Sequence, residues 1–260
     1  MTDSAALPVP PPRRPTTQER ASAFGAWTHP LVVAGLPVLW LTLLVLFHQT
    51  PQIDLAVSRW FHDAADCALT ERYCIEFPLA SDRLVGAIRE VLHYLPGLVA
   101  LLLLMSVGVD FFEERNFSFG RTRLKCAVIA AFVLGPGLLV NGVLKNFSGR
   151  PRPRDVDLFG GHLPFASAGE WTQHCLANCS FVSGEAAGGF LLIGLAPLFP
   201  PDQRLRAAVA LSAVAFATAG MRVAFGAHFL SDALLGGLST LMVFALLAVL
   251  VEYWNGRIRR

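Results

Sequence analysis

A small group of residues in the second half of the chain combines types and spacing that could act on a phosphate. Lys145 and Arg152 stand seven positions apart. Arg222, His228 and Asp232 follow, with His228 four residues before Asp232, so one helical turn would stack the two on one face. Ser183, Gly184 and Glu185 lie between these groups. Three cations suit a phosphoryl group, whose charge is spread over its equatorial oxygens. A histidine whose tautomer is fixed by a carboxylate suits a nucleophile or a base. Taken singly, each has a plainer reading. An arginine at a span end is a snorkelling anchor, Asp232 is a helix N-cap, and Ser183–Gly184 is a turn. The joint arrangement carries the chemistry.

The elements that must position this group are membrane spans. Of 260 residues, 54% are apolar and only 15% charged, against roughly 25% charged in soluble domains. The mean hydropathy is +0.52. A bilayer core takes about 20 mostly apolar residues per helix, and six candidate spans follow: Leu31–Phe47, Val91–Val109, Cys126–Leu144, Ser183–Leu198, Ala207–Met221 and Ala233–Val251. Spans four and five are short. The fold class expected is an all-α, six-transmembrane-helix bundle with short interfacial helices. One of these is expected after the first span, where Ile53, Ala56, Val57, Trp60 and Phe61 recur on one helical face. Alternation puts Lys145, Glu185, Arg222 and Asp232 on one side of the membrane, where ionisable residues mark function.

Lys and Arg in the connections give the orientation. Arg13, Arg14 and Arg20, then Arg115, Arg121, Arg123 and Lys125, then Arg204 and Arg206, then Arg257, Arg259 and Arg260 share one face. The positive-inside rule makes that face cytoplasmic, and with it both termini. The opposite face also carries arginines, including Arg59, Arg72, Arg83 and Arg89. It holds two close cysteine pairs, Cys67 with Cys74 and Cys175 with Cys179. Both are candidate disulfides if the compartment is oxidising and free thiols otherwise. Their spacing does not suit a zinc site. Residues 1–28 are Pro-rich and read as a disordered cytoplasmic tail, 29–254 as the membrane domain, and 255–260 as a basic tail.

The segments Lys145-NFSGRP-Arg152-Pro153, Val182-Ser183-Gly184-Glu185 and Met221-Arg222-VAFGA-His228-FLS-Asp232 resemble the three motifs of the type 2 phosphatidic acid phosphatase (PAP2) superfamily. The resemblance implies a metal-independent phosphatase with no cofactor. His228 would attack phosphorus to form a phosphohistidine, and Asp232 would orient it. Lys145, Arg152 and Arg222 would hold the phosphate oxygens. Ser183 and the Gly184 amide would add hydrogen bonds at a helix N-terminus, where anions are favoured. Val182 and Met221 stand where the family usually has Pro and Ser. Glu185 stands where the family has the histidine that protonates the leaving oxygen. Glu185 would serve as that acid only with its pKa raised toward the working pH; otherwise His174 or His162 would assist, the leaving group would need little protonation, or the site would be inactive.

The substrates implied are amphiphilic phosphates: a phospholipid such as phosphatidic acid or phosphatidylglycerophosphate, lipid A, or undecaprenyl diphosphate, a polyprenyl phosphate. The GRPRPRDVDLFGG and CSFVSGE segments are most similar to bacterial lipid A phosphatase-like members. The implied setting is the bacterial inner (plasma) membrane with the active site facing the periplasm, the lipid bilayer as partner and no nucleic acid. Two alternatives stay open: a lipid phosphotransferase, and a non-catalytic lipid-binding or transport relative, the latter motivated by Glu185.

Overall fold

The computed structural model describes residues 23–63, 77–112 and 119–258. Helix α1, Pro30–Gln49, begins with proline at its first turn, where the missing N–H costs nothing, and His29 Nδ1 accepts from Leu31 N at 3.3 Å. It stops at Thr50, which stands before Pro51 and is held out of the helical region. Helix α2, Gln52–Phe61, follows at once. Helix α3, Arg83–Phe112, has 30 residues and spans about 45 Å, so it overshoots a hydrocarbon core of about 30 Å.

Helix α4 starts at Phe119, widens into a π-type helix over Val133–Leu144 and ends at Lys145–Phe147. Pro136 lies in the widened part, and Asn141 Nδ2 donates to its carbonyl at 2.7 Å. Such irregular helical turns recur at functional sites. Helix α5, Gly184–Leu191, continues as a 3₁₀ helix over Leu192–Leu198. The 3₁₀ rise of about 2.0 Å per residue lets this 15-residue stretch reach about 26 Å. Helix α6 is Arg204–Ala224 and α7 is Leu230–Ile258.

Five of these helices are long and apolar enough to cross a membrane, and Gly184–Leu198 is a shorter apolar sixth. The all-helical bundle expected from the sequence is found, with the fourth span short, while the fifth is a full-length 21-residue helix. Short α5 is central: it packs against α3, α4, α6 and α7, and Ala186–Leu192 are all buried. Around it, α1 and α3 leave Leu31, Leu41, Leu98, Leu101 and Leu104 outward, as a bilayer requires.

The packed chain reaches further than its expected limits. Phe24 is buried against Leu124 of α4 and Phe244 of α7, and Gly25–Thr28 forms a 3₁₀ turn, within the stretch expected as the tail. Helix α7 likewise runs past residue 254. The interfacial helix expected near Ile53 is α2, but its buried residues are Asp54 and Ser58, while Trp60 is exposed. The remainder of residues 1–28 lies outside the described residues. So do Cys67 and Cys74, and the disulfide expected between them stays an expectation.

Candidate active site

Four helix ends meet at one end of the bundle: the C-termini of α4 and α6 and the N-termini of α5 and α7. Helix α6 ends at Ala224, and the chain turns back so that the amides of Ala227 and His228 both bond the Arg222 carbonyl, at 3.1 and 3.2 Å. This turn fixes His228 beside the end of its own helix. The imidazole is buried, 1% exposed. Its Nδ1 lies 2.8 Å from the carbonyl oxygen of Ser180. A carbonyl only accepts, so Nδ1 carries the proton and Nε2 keeps its lone pair. Burial, and then the charges of Arg222, Lys145 and Arg152, hold His228 well below the ordinary histidine range. At neutral pH it is therefore an uncharged nitrogen base surrounded by three cations.

Asp232 lies on the first turn of α7, one turn beyond His228. Its Oδ2 accepts from Phe229 N at 2.9 Å, closing the helix start as the second half of a capping box does. The same oxygen accepts the Ser180 hydroxyl at 2.6 Å, and Oδ1 accepts from Arg150 at 2.6 Å. The carboxylate expected to orient His228 bonds the Ser180 hydroxyl, and His228 bonds the Ser180 carbonyl.

Arg150 is fully buried. It donates to Asp54 on α2 at 2.9 Å, to Ser231 Oγ at 2.8 Å and to Ala166 O at 2.9 Å, and it lies over the Phe229 ring at 4.4 Å. Asp54 accepts in turn from the Ser231 amide at 2.9 Å and from its hydroxyl at 2.5 Å. This buried cluster ties the loop after α4, helix α2 and the start of α7 into one unit. A buried charge persists only when paired and hydrogen-bonded, and here every charged member is.

The other three cations are held differently. Lys145 Nζ reaches Asn178 Oδ1 at 3.4 Å, and Arg152 donates to the Asn178 carbonyl from Nε at 3.3 Å and Nη2 at 2.9 Å. Asn178 sits in a loop closed by a disulfide between Cys175 and Cys179, one of the two expected pairs. The other expected pair, Cys67 with Cys74, lies outside the described residues. The loop is anchored through Cys175 N to Gly149 O at 3.0 Å and Ser180 N to Arg150 O at 2.8 Å. Gly149 has φ of 68°, and a Cβ there would lie 1.7 Å from Thr172 O, so only glycine fits this turn. Arg222 Nε is buried, 3.4 Å from Glu185 Oε1, but makes no hydrogen bond among the described residues. A phosphoryl oxygen would supply the acceptor that this N–H lacks.

Ser183 caps α5: its hydroxyl accepts from Ala186 N at 3.3 Å, and its own amide donates to the Asp232 carbonyl at 2.9 Å. Gly184 begins the helix against Asn141, whose Oδ1 would lie 2.5 Å from any Cβ added there. Glu185 is engaged on both oxygens by Arg89 of α3, through Nε to Oε2 at 3.1 Å and through Nη2 to Oε1. His93 Nδ1 stands 3.6 Å from Oε1. A cleft of about 300 Å³ opens between α3, α4 and α5, walled among others by His93, Tyr94, Asn141, Lys145, Gly184 and Glu185. His228 is not part of its wall; Lys145 and Glu185 are, and Arg222 stands 3.4 Å behind Glu185.

All eight residues expected to form the site converge here. His162 and His174 are exposed and outside the cleft wall. No group of three or more His, Cys, Asp or Glu that could hold a metal ion occurs among the described residues.

Residues 126–256 match the PAP2 superfamily. A lipid A 4'-phosphatase of Rhizobium leguminosarum is 40% identical over 82% of this chain and 94% of its own length. The chain belongs to the PAP2 superfamily. A lipid A 4'-phosphatase of Rhizobium etli is 36% identical over 92% of this chain and 91% of the relative. One of Francisella tularensis subsp. novicida is 29% identical over 85% and 98%. The crystal structure of a transmembrane PAP2 type phosphatidylglycerolphosphate phosphatase from Bacillus subtilis superposes with a TM-score of 0.54 at 19% identity, covering 88% of this chain and 98% of that one. That likeness establishes the PAP2 membrane fold for this chain.

Sequence motifs gave no sign of Asp54, Arg89, His93 or Ser180 as parts of this PAP2 site. One signal was present. Arg89 and His93 are four apart at the start of an apolar run, hence on one face of α3, and ionisable groups placed so in a span point to function.

Proposed function

We propose that this chain is a membrane lipid phosphatase that removes a phosphate from the sugar head group of lipid A. The observation that carries the reading is the neutral, buried His228, with Nε2 unprotonated, under the charges of Lys145, Arg152 and Arg222. The named activity of the relatives at 40% and 36% identity supports the substrate.

In the first step His228 Nε2 forms a bond to phosphorus as the bond to the sugar oxygen breaks. The three cations stabilise the charge on the equatorial oxygens. The proton stays on Nδ1, donated to the Ser180 carbonyl, and Asp232 fixes Ser180 through its hydroxyl. Water then attacks phosphorus, the P–N bond breaks, and phosphate leaves. The site lies at the helix ends opposite the more basic connections, which supports a periplasmic site and cytoplasmic termini. An amphiphile could then stay in the bilayer while its phosphate enters between α3 and α5.

The test is phosphate release from lipid A by the purified protein in lipid nanodiscs, with a panel of other lipid phosphates and a His228→Ala control. The wild type should release phosphate from lipid A without any acceptor lipid, and His228→Ala should be inert. Release that survives in His228→Ala would remove the mechanism. Turnover only with an added acceptor lipid would make the chain a phosphotransferase.

A further inference from the structure

We propose that His93 is the general acid for the leaving oxygen, with Glu185 as the carboxylate that orients it. The inference rests on the phosphatase reading and names a residue for the step that Glu185 leaves open. Glu185 itself is badly placed to give a proton. Both its oxygens accept from the Arg89 guanidinium, and Arg222 lies 3.4 Å from Oε1. A carboxyl group in that setting serves as an acceptor.

His93 has what Glu185 lacks. It lies one helical turn after Arg89 on the same face of α3, and its Nδ1 is 3.6 Å from Glu185 Oε1. That separation is one which a small closure would turn into a hydrogen bond, as catalytic pairs without substrate commonly need. Arg89 fixes the Glu185 carboxylate, and the Tyr94 ring meets the His93 ring edge-on at 4.8 Å. His93 shares the cleft wall with Lys145, Gly184 and Glu185, and its side chain is 39% exposed. It is therefore open to an incoming head group at the entrance to the phosphate cations. Glu185 joins the two halves: one oxygen faces both His93 and Arg222, and the Arg222 charge acts on His228. The family position for a histidine acid is replaced here by a carboxylate that borrows a histidine from the neighbouring helix.

The step balances. As His228 Nε2 bonds phosphorus and the P–O bond breaks, the Nε2 proton of the His93 imidazolium passes to the leaving sugar oxygen. The neutral His93 then takes a proton from the attacking water as the P–N bond breaks. The sum is one phosphoester and one water giving an alcohol and phosphate.

The test compares leaving groups. Sugar oxygens need a proton; the phenolate of p-nitrophenyl phosphate leaves without one. Turnover of lipid A by His93→Ala and His93→Gln should fall about 100-fold or more, the scale of general acid catalysis. Turnover of p-nitrophenyl phosphate by the same variants should fall less than about 10-fold, because the lost assistance is not used there. Glu185→Gln should show the same asymmetry, more weakly. Thermal melts of each variant separate folding from chemistry. Equal losses on both substrates, or undiminished lipid A turnover in His93→Ala, overturn the assignment while leaving the phosphatase reading intact. A wild type inert on both substrates, or an active His228→Ala, removes the phosphatase reading and this one with it.

Discussion

Ser180 stands between Asp232 and His228 and bonds both: its hydroxyl donates to Asp232 Oδ2 at 2.6 Å, and its carbonyl accepts from His228 Nδ1 at 2.8 Å. The two bonds use different parts of one residue, and they respond differently to substitution. Ser180→Ala removes the hydroxyl and keeps the carbonyl. It forfeits one charge-assisted hydrogen bond of about 1.5–3 kcal/mol, shared between stability and the positioning of the ring. Phosphate release should fall about 10-fold, with a modestly lower melting temperature. Asp232→Ala also strips Arg150 of a partner and Phe229 N of its acceptor, so folded yield and turnover should collapse together. Ser180→Ala losing as much as Asp232→Ala would show that the carbonyl bond is not what holds the ring.

The Arg150 cluster makes a second prediction. Arg150→Met would leave Asp54 and Asp232 buried without their cation. Breaking a buried pair from one side costs about 3–5 kcal/mol. Adding Asp54→Asn removes one of the two stranded charges. The double variant should therefore melt at a higher temperature than Arg150→Met alone, measured in detergent by fluorescence. A lower melting temperature for the double variant would mean that Asp54 stabilises by packing rather than by charge.

This cluster also marks where sequence reading stopped. The spans were legible because apolar runs of bilayer length leave few alternatives. The motif residues were legible because their spacing matches helix ends and turns. Asp54 was hidden for a physical reason. Helix α2 has an apolar stripe through Ile53, Val57 and Trp60, and that stripe was the obvious face to bury. The structure turns Asp54 inward, because the Arg150 charge awaits it, and Ser58, one turn on, is buried on the same face. That pairing joins residues 96 positions apart and leaves no local pattern. His93 carried one signal, its place four residues after Arg89, but its partner Glu185 lies on another helix, and only the packing of α3 on α5 unites them.

The depressed pKa of His228 sets a pH dependence. Its folded-state value lies well below 6.5, so the unfolded chain takes up this proton first as pH falls. Stability carried by the neutral ring is complete above about pH 7. It is lost as pH drops through 6.5 toward the folded-state value, by up to about 1.4 kcal/mol per pH unit. The melting temperature should therefore fall between pH 6.5 and 5, and His228→Asn should flatten that slope. Between pH 8 and 6.5 His228, the proposed nucleophile, stays neutral, and kcat/KM should show no acid limb from it. A wild-type slope retained in His228→Asn would place the titrating group elsewhere.

The Cys175–Cys179 disulfide predicts a split between binding and chemistry. It closes a short loop whose Asn178 carbonyl receives Arg152 and whose side chain receives Lys145. So short a loop contributes about 2 kcal/mol at most by restricting the unfolded chain, and Cys175→Ser/Cys179→Ser should fold. Freed from the crosslink, Asn178 no longer holds the two cations at a fixed separation. As the proposed phosphate ligands, Lys145 and Arg152 hold the oxygens from the ground state onward, so KM should rise several-fold and kcat should fall less. His228, bonded to Ser180 outside the crosslinked loop, keeps its geometry. Phosphate release measured across lipid A concentrations, with and without a reductant on the wild type, checks this. A fall in kcat at unchanged KM would show that the loop acts on the nucleophile through Ser180 and not on the phosphate through Asn178.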